Sequence, residues 1–382
     1  GQRSRFEGFV GAVNKEASDK CSVLVKYSKQ ILVKLPWGKD YEKDKYFTPD
    51  FRVLDIIAFG FDGIIKGHNF TNDVTMGRAH VFSNVISVID VSTKFIRAKD
   101  QELLLENDRK AQEIFTGLHE LYGHGSGKCF KRKDDGTFNF DKDNTEDILT
   151  GGKITSWYEP GQSFYPVFGE LGVAFEECRA YAVAYVLCCD SEILQTLGFD
   201  GEAGQTLKYA IWLRQLREGL RSLIRYNAAS KKWEEGHCWA RFVLLKVVLE
   251  AGEGCLTIIK MKSNLFIDLD RGKIDSVALP AVREFLKKLQ AYKSTADVTG
   301  ATELFNKYSV GECELEWRRI CMLKEGTKPI LLMMQPNTVL TEDGGVDLVT
   351  YEETSEGVIQ SVIDRYTLES VAILEELWKE EK

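Results

Sequence analysis

His119-Glu120-Leu121-Tyr122-Gly123-His124 places two histidines and a glutamate within six residues, in a chain of 382 that has five histidines in all. Neutral imidazole is the commonest metal ligand. A histidine pair on one helix, with a glutamate directly after the first, is the zinc-hydrolase arrangement of two ligands and a general base. In H-E-x-x-H the histidines stand at i and i+4, one above the other. Here they stand at i and i+5, about 140° apart at ~100° per residue. Both reach one metal only if the turn between them is overwound or bulged. A single-turn π-bulge does this, and such bulges concentrate at functional sites. Gly123, beside the second histidine, is expected to make the distortion cheap.

A third ligand must come from another element, because a catalytic zinc site usually has three protein ligands and a water. Glu176-Glu177-Cys178-Arg179 interrupts a run from Leu171 to Cys189 that is otherwise rich in Ala, Val, Tyr and Cys. Buried charge is costly unless paired or bound to metal. Neighbouring helix positions point about 100° apart, so one glutamate is expected to ligate and the other to support.

Outward from the motif, helix signals run from Thr93 to Asn107 and again from Asp108 into His119. Gly125-Ser126-Gly127-Lys128 stops that helix. Cys129 follows, so the phosphate-loop pattern fails. Residues 131–167 are polar and read as a surface excursion. Helices are expected at about 168–194, 203–227 and 231–251, then from Pro280 to about Lys324, with a hairpin from Leu256 to Leu269. Toward the start, residues 4–34 read as one helix, with Phe6, Phe9, Val10, Val13, Ala17, Cys21, Leu24 and Tyr27 at spacings of three and four, ended by Leu35-Pro36-Trp37-Gly38. Residues 53–95 read as strands and loops. Ile330 to Met334, Val339 to Thr341 and Val346 to Tyr351 read as strands, followed by two short helices. The expected fold is mainly α with a smaller mixed α/β part. Residues 1–52 and 96–327 form a helical lobe carrying the motif, and 53–95 and 328–382 form mixed α/β portions of a second, incomplete lobe.

The composition, 44% hydrophobic and 28% charged, is that of an ordinary globular chain. A net charge of −8 argues against a nucleic-acid partner and against a polybasic membrane surface. No apolar run approaches ~18 residues, so no transmembrane helix is expected. The polar start, Gly1 to Arg5, does not read as a signal peptide. Nine cysteines, an odd number without C-x-x-C, read as reduced thiols in a cytoplasmic protein.

His119-Glu120-x-x-Gly123-His124 and Glu176-Glu177-Cys178-Arg179-Ala180 together resemble the dipeptidyl peptidase III family of H-E-x-x-G-H metallopeptidases. So do Phe6-Glu7-Gly8-Phe9-Val10, Glu42 to Lys45, Thr48-Pro49-Asp50-Phe51, Ala240-Arg241-Phe242, Leu249 to Gly254, Lys293-Ser294-Thr295 and Gln335-Pro336-Asn337-Thr338, in order. The resemblance covers nearly the whole chain and corresponds to the family's C-terminal, catalytic half. It implies one Zn2+ per chain, held by His119, His124 and Glu177, with Glu120 as the general base. It implies that His237 stabilises the oxyanion, that Arg241 clamps the carboxyl side of a short peptide, and that Asn69 and Asn72 hold its N-terminal end. His237 and Arg241, four apart, share one helix face. The implied activity is release of dipeptides from the N-terminus of short peptides.

Departures from the family pattern accompany it. Tyr181 stands where an acid supports a zinc histidine, and Tyr165 where a second such acid is expected; Glu176 is the remaining support. His80 replaces an asparagine, the 73–80 loop is shorter, and Ile330 to Met334 lacks basic residues. Loss of such support typically costs ~10–100-fold in metal affinity or activity. The family's N-terminal half has no counterpart in the sequence, and another chain is one possible source of it. The alternative reading is therefore a shortened or diverged relative that binds metal and peptides, or a non-peptide substrate, with little dipeptidyl peptidase activity.

Overall fold

The computed structural model describes residues 8–43, 50–60, 67–70, 78–82, 85–87, 93–325, 331–333, 335–352, 354–366 and 368–380. The chain starts with strand β1 (Gly8–Val13), helices α1 (Lys15–Lys26) and α2 (Ser28–Leu32), and strands β2 (Asp50–Gly60), β3 (Gly67–Phe70), β4 (Arg78–Phe82) and β5 (Val85–Ser87). Helix α3 (Ala98–Leu118) leads into the motif. Helices α4 (Phe164–Phe168), α5 (Gly172–Leu187), α6 (Ser191–Thr196) and α7 (Gly201–Arg221) follow the long excursion. Next come the short strands β6 (Tyr226–Asn227) and β7 (Lys232–Trp233), helix α8 (Gly236–Glu250) and the hairpin β8 (Leu256–Met261) and β9 (Asn264–Leu269). Helices α9 (Leu279–Thr295), α10 (Val298–Lys307) and α11 (Glu312–Glu325) complete the helical part. The tail carries β10 (Leu331–Met333), β11 (Asn337–Leu340), β12 (Val346–Val349), α12 (Ser355–Arg365) and α13 (Leu368–Glu380).

The mainly helical class with small sheets is as expected. Several elements differ from the sequence reading; the short strands β6 and β7, for one, occupy the ends of the helices expected at 203–227 and 231–251. Residues 4–34 are not one helix: Gly8–Val13 is a strand, antiparallel to β2 with a bulge between Val10 and Gly11. Glycine at 8 and 11 weakens a helix there, and a Cβ on Gly11 would lie 3.3 Å from Asp55 O. Helical structure begins at Lys15. The two helical stretches expected between Thr93 and the motif are one, α3; Asn107 donates its side-chain amide to Leu103 O at 2.8 Å and does not break it.

The principal sheet runs β1-β2-β4-β3, with β2 and β4 parallel and the other pairs antiparallel. β10 pairs antiparallel with β5, joining a strand of the tail to one of the early mixed stretch. The core sits in the helical part, around α5. That helix is mostly apolar and buried almost throughout, which marks a central helix rather than a surface one. Phe175 on α5, Trp212 on α7 and Phe242 on α8 are fully buried. The polar excursion after the motif is pinned by its aromatics: Phe130 stacks on Phe140 at 4.3 Å, and Tyr158 donates to Lys293 O at 2.8 Å. Among the described residues no helix is long and apolar enough to cross a membrane.

Candidate metal centre

Helix α3 passes without a break into a π turn over His119–Gly123, closed by His124 N donating to His119 O at 3.1 Å. This i→i+5 bond is the overwinding that the long spacing requires. The role expected of Gly123 is corrected, since its backbone is not in the left-handed region. Its need is space. A Cβ there would stand 2.7 Å from Ala180 Cβ and 2.9 Å from Ala180 O, so glycine lets the turn lie directly on α5.

That contact sets the motif opposite Glu177. The His119 and His124 rings are 4.8 Å apart and nearly perpendicular. His119 Nε2 stands 3.2 Å from Glu177 Oε2, and His124 Nε2 stands 3.6 Å from Glu177 Oε1. One ligand atom from each of the three residues lies within 4.8 Å of the others, and no second such group occurs among the described residues. Glu177 Oε2 is buried and in no well-aligned hydrogen bond. A buried polar atom left so is open to an ion. Two imidazole nitrogens and a carboxylate are the donor set of a catalytic zinc site, and these residues fit such a metal. Glu120 lies buried in the same turn.

The electrostatics at Glu177 and His119 suit ligation. Burial tends to raise the Glu177 pKa, but His124, His119 and His237 outweigh it and hold it at about 2, so the carboxylate is ionised. Burial lowers the pKa of His119, favouring the neutral imidazole. At His124 burial acts the same way, but Glu177 and Glu176 overcome it and raise the pKa.

The groups behind the two histidines differ. His124 Nδ1 faces Glu176 Oε1 at 3.4 Å, and Glu176 is itself held by Arg179 and Lys293. Burial opposes ionisation of Glu176, but these two cations keep its pKa well below the usual carboxylate range. His119 Nδ1, by contrast, is buried without a hydrogen-bond partner. Tyr181 meets the His119 ring with its own ring, 4.4 Å between centroids. No hydrogen bond joins His119 Nδ1 to Tyr181. Tyr165 is 47% exposed on α4 and packs edge-on against Phe164.

α8 brings two further residues. His237 Nε2 is 3.4 Å from Glu177 Oε2. Glu235 caps α8, accepting from His237 N and Cys238 N, and its Oε1 also pairs with His237 Nδ1. Sequence reasoning missed Glu235 because glutamate is not among the usual N-cap residues. Arg241 lies one turn on, its guanidinium 4.9 Å from the Tyr181 ring centre and its Nε buried without a partner. Arg179, read from sequence only as an ion-pair partner, also donates to Gly123 O at 2.5 Å. Asn69 falls in β3, opposite Ala79 of β4; Asn72 lies outside the described residues.

Residues 1–366 match the profile of Peptidase family M49. The chain belongs to that family. It is 38% identical over 394 residues to dipeptidyl peptidase 3 of Nematostella vectensis, an alignment covering 100% of this chain and 54% of that protein. It is 38% identical over 385 residues to dipeptidyl peptidase 3 of Rattus norvegicus, with 96% and 52% covered. The chain thus spans about half the length of the curated M49 relatives it matches. The solved dipeptidyl-peptidase III from Corallococcus sp. strain EGB superposes with a TM-score of 0.61 at 16% identity, covering 85% of this chain and 54% of that one, which supports the fold. The resemblance read from the motifs is a family membership.

Proposed function

We propose that the chain is the metal-carrying, catalytic half of a zinc-dependent dipeptidyl peptidase that removes dipeptides from the N-terminus of short peptides. The observation that carries this is the convergence of His119, His124 and Glu177 on a π turn that also holds Glu120. Zinc, when bound, supplies Lewis acidity toward a peptide carbonyl and makes the attacking water a stronger acid. Glu120 takes the proton of that water as general base and passes it to the leaving amine. His237, with Nδ1 tied to Glu235, directs Nε2 into the site and donates to the oxygen on which charge develops. Arg241 pairs with the carboxyl side of the peptide, and Asn69 and Asn72 hold its amino end. Tyr181, against the His119 ring, takes the place of a supporting acid, and Tyr165 takes the sequence position of a second one. Residues 1–52 and 96–327 make the catalytic lobe, and 53–95 and 328–382 belong to a second lobe. The polypeptide corresponding to the rest of the relatives' length completes the cleft, in a cytoplasmic enzyme.

Metal analysis after dialysis should find about one zinc per chain, a ratio that follows from the single donor group among the described residues. Glu120→Gln should keep the metal and lose hydrolysis of dipeptidyl arylamides. A wild type that carries no zinc, or a Glu120→Gln variant with full turnover, counts against the reading. The unpartnered Nδ1 of His119 favours a second reading, a relative that binds metal and peptide with little turnover. Peptide binding without arylamide hydrolysis by the wild type selects it.

A further inference from the structure

We propose that Arg179 is a positioning residue for the metal turn, fixing where His124 points through the Gly123 carbonyl and Glu176. The proposal rests on the metal reading above. The last four carbonyls of a helix lack intrahelical partners. Gly123 O is one of these at a buried position, and Arg179 Nη2 donates to it at 2.5 Å. The same nitrogen reaches Glu176 Oε1 at 2.5 Å, and Arg179 Nε reaches Glu176 Oε2 at 3.0 Å. Glu176 Oε1 stands 3.4 Å from His124 Nδ1. One planar guanidinium therefore grips the backbone directly before His124 and the acceptor behind its ring. Its remaining arm lies 3.4 Å from Gln290 Oε1 on α9. Gln290 is fully buried and donates to Ser294 Oγ at 2.9 Å, and Ser294 Oγ donates to Lys128 O beyond the motif.

The charge of Arg179 is not what makes it necessary. Lys293 Nζ already lies 2.7 Å from Glu176 Oε2, so a second cation neutralises the same carboxylate. Arg179 is 0% exposed, and a buried cation is tolerated only when its N–H groups are used. What it adds over a lysine is a rigid fork that holds two acceptors at fixed angles. The fork spans α5 and the π turn, the two elements whose separation sets the distances from Glu177 to both histidines.

Arg179→Lys keeps the charge and removes the fork. Chelator competition with Zn2+ should show affinity falling by ~10–100-fold. The visible spectrum of the Co2+-loaded protein should shift; the metal-free melting temperature should fall as well, because the buried fork and its Gln290 arm are lost. Lys293→Met removes the redundant charge and should leave affinity within about 3-fold, below the usual cost of losing a supporting group. Gln290→Leu removes only the third arm, and should lower stability without moving affinity or the spectrum. It also keeps the test open if Arg179→Lys folds poorly. Wild-type affinity and spectrum in Arg179→Lys overturn the proposal. So does equal weakening in Arg179→Lys and Lys293→Met, which assigns the effect to charge, or affinity that tracks stability in Gln290→Leu. A wild type that binds no metal instead defeats the underlying metal reading.

Discussion

His119 presents Nε2 to Glu177 and leaves Nδ1 buried with no acceptor. Arg241, whose guanidinium lies over the same Tyr181 ring, also has a buried and unpartnered Nε. Two unpartnered nitrogens thus neighbour one tyrosine ring. Metal-bound histidines usually donate their second N–H to a carboxylate or carbonyl, which fixes the ring and raises its basicity. Tyr181 supplies a stacking surface and no negative charge. Burial is the main reason its hydroxyl pKa is raised, so it remains a neutral phenol at any ordinary pH. Tyr181→Glu puts a carboxylate between His119 Nδ1 and Arg241 Nε. Zinc affinity by chelator competition should rise ~10-fold or more. Affinity equal to wild type in a folded variant would show that the orphaned nitrogen does not limit binding.

At the scale of elements, α5, α7 and α8 carry charged side chains into the core, where opposite charges face them. On α7, Glu218 sits among Arg217, Arg221 and Arg214, with Arg241 of α8 adding to the same field. Burial works against its charge, but the arginines prevail and hold the Glu218 pKa below its ordinary value. The folded pKa is therefore lower than the unfolded one. Stability from this group is complete above the unfolded value of roughly 4.3 and declines as pH falls below it toward the folded value. Urea midpoints measured from pH 7 downward should drop in acid for the wild type. Glu218→Gln should start lower at pH 7 and show a flatter acid dependence. Parallel curves for the two proteins would mean that Glu218 contributes nothing to acid sensitivity.

Across the whole molecule, the candidate ligands come from two elements that only tertiary packing joins: the π turn after α3 and the central helix α5. A metal held between them binds the folded state alone. At a free concentration 1,000 times Kd it stabilises by about 4.1 kcal/mol. Removal by a chelator should lower the melting temperature while the far-UV circular dichroism at 25 °C keeps its helical form. α5 is anchored by its own core, with Phe175, Cys178 and Val183 fully buried. A large loss of helix on chelation would show instead that the metal holds the fold together.

Much of the site was legible because its signals are local. Two histidines in six residues, a glutamate after the first, and acids inside an apolar helix each state a chemical requirement within one turn of helix. The overlong spacing foretold the π turn, since backbone geometry leaves few ways to turn both rings to one side. The hairpin from Leu256 to Leu269 and the helices around it followed from periodicity alone. What the sequence could not decide depended on partners far away in the chain. Gly8–Val13 carries apolar spacing that suits a helix, and β2 makes it a strand by offering a ladder of backbone hydrogen bonds. Gly123 suggested conformational ease, and the approach of Ala180 made it a requirement for space. Arg179 reads as the partner of Glu176 three residues before it, but its hold on the Gly123 carbonyl exists only once α5 lies against the turn. Composition and spacing determined which atoms are available to a metal. The packing of α5 on the motif, and of α8 on α5, decided which of them converge, because side-chain direction and burial are set by neighbouring elements and not by local sequence.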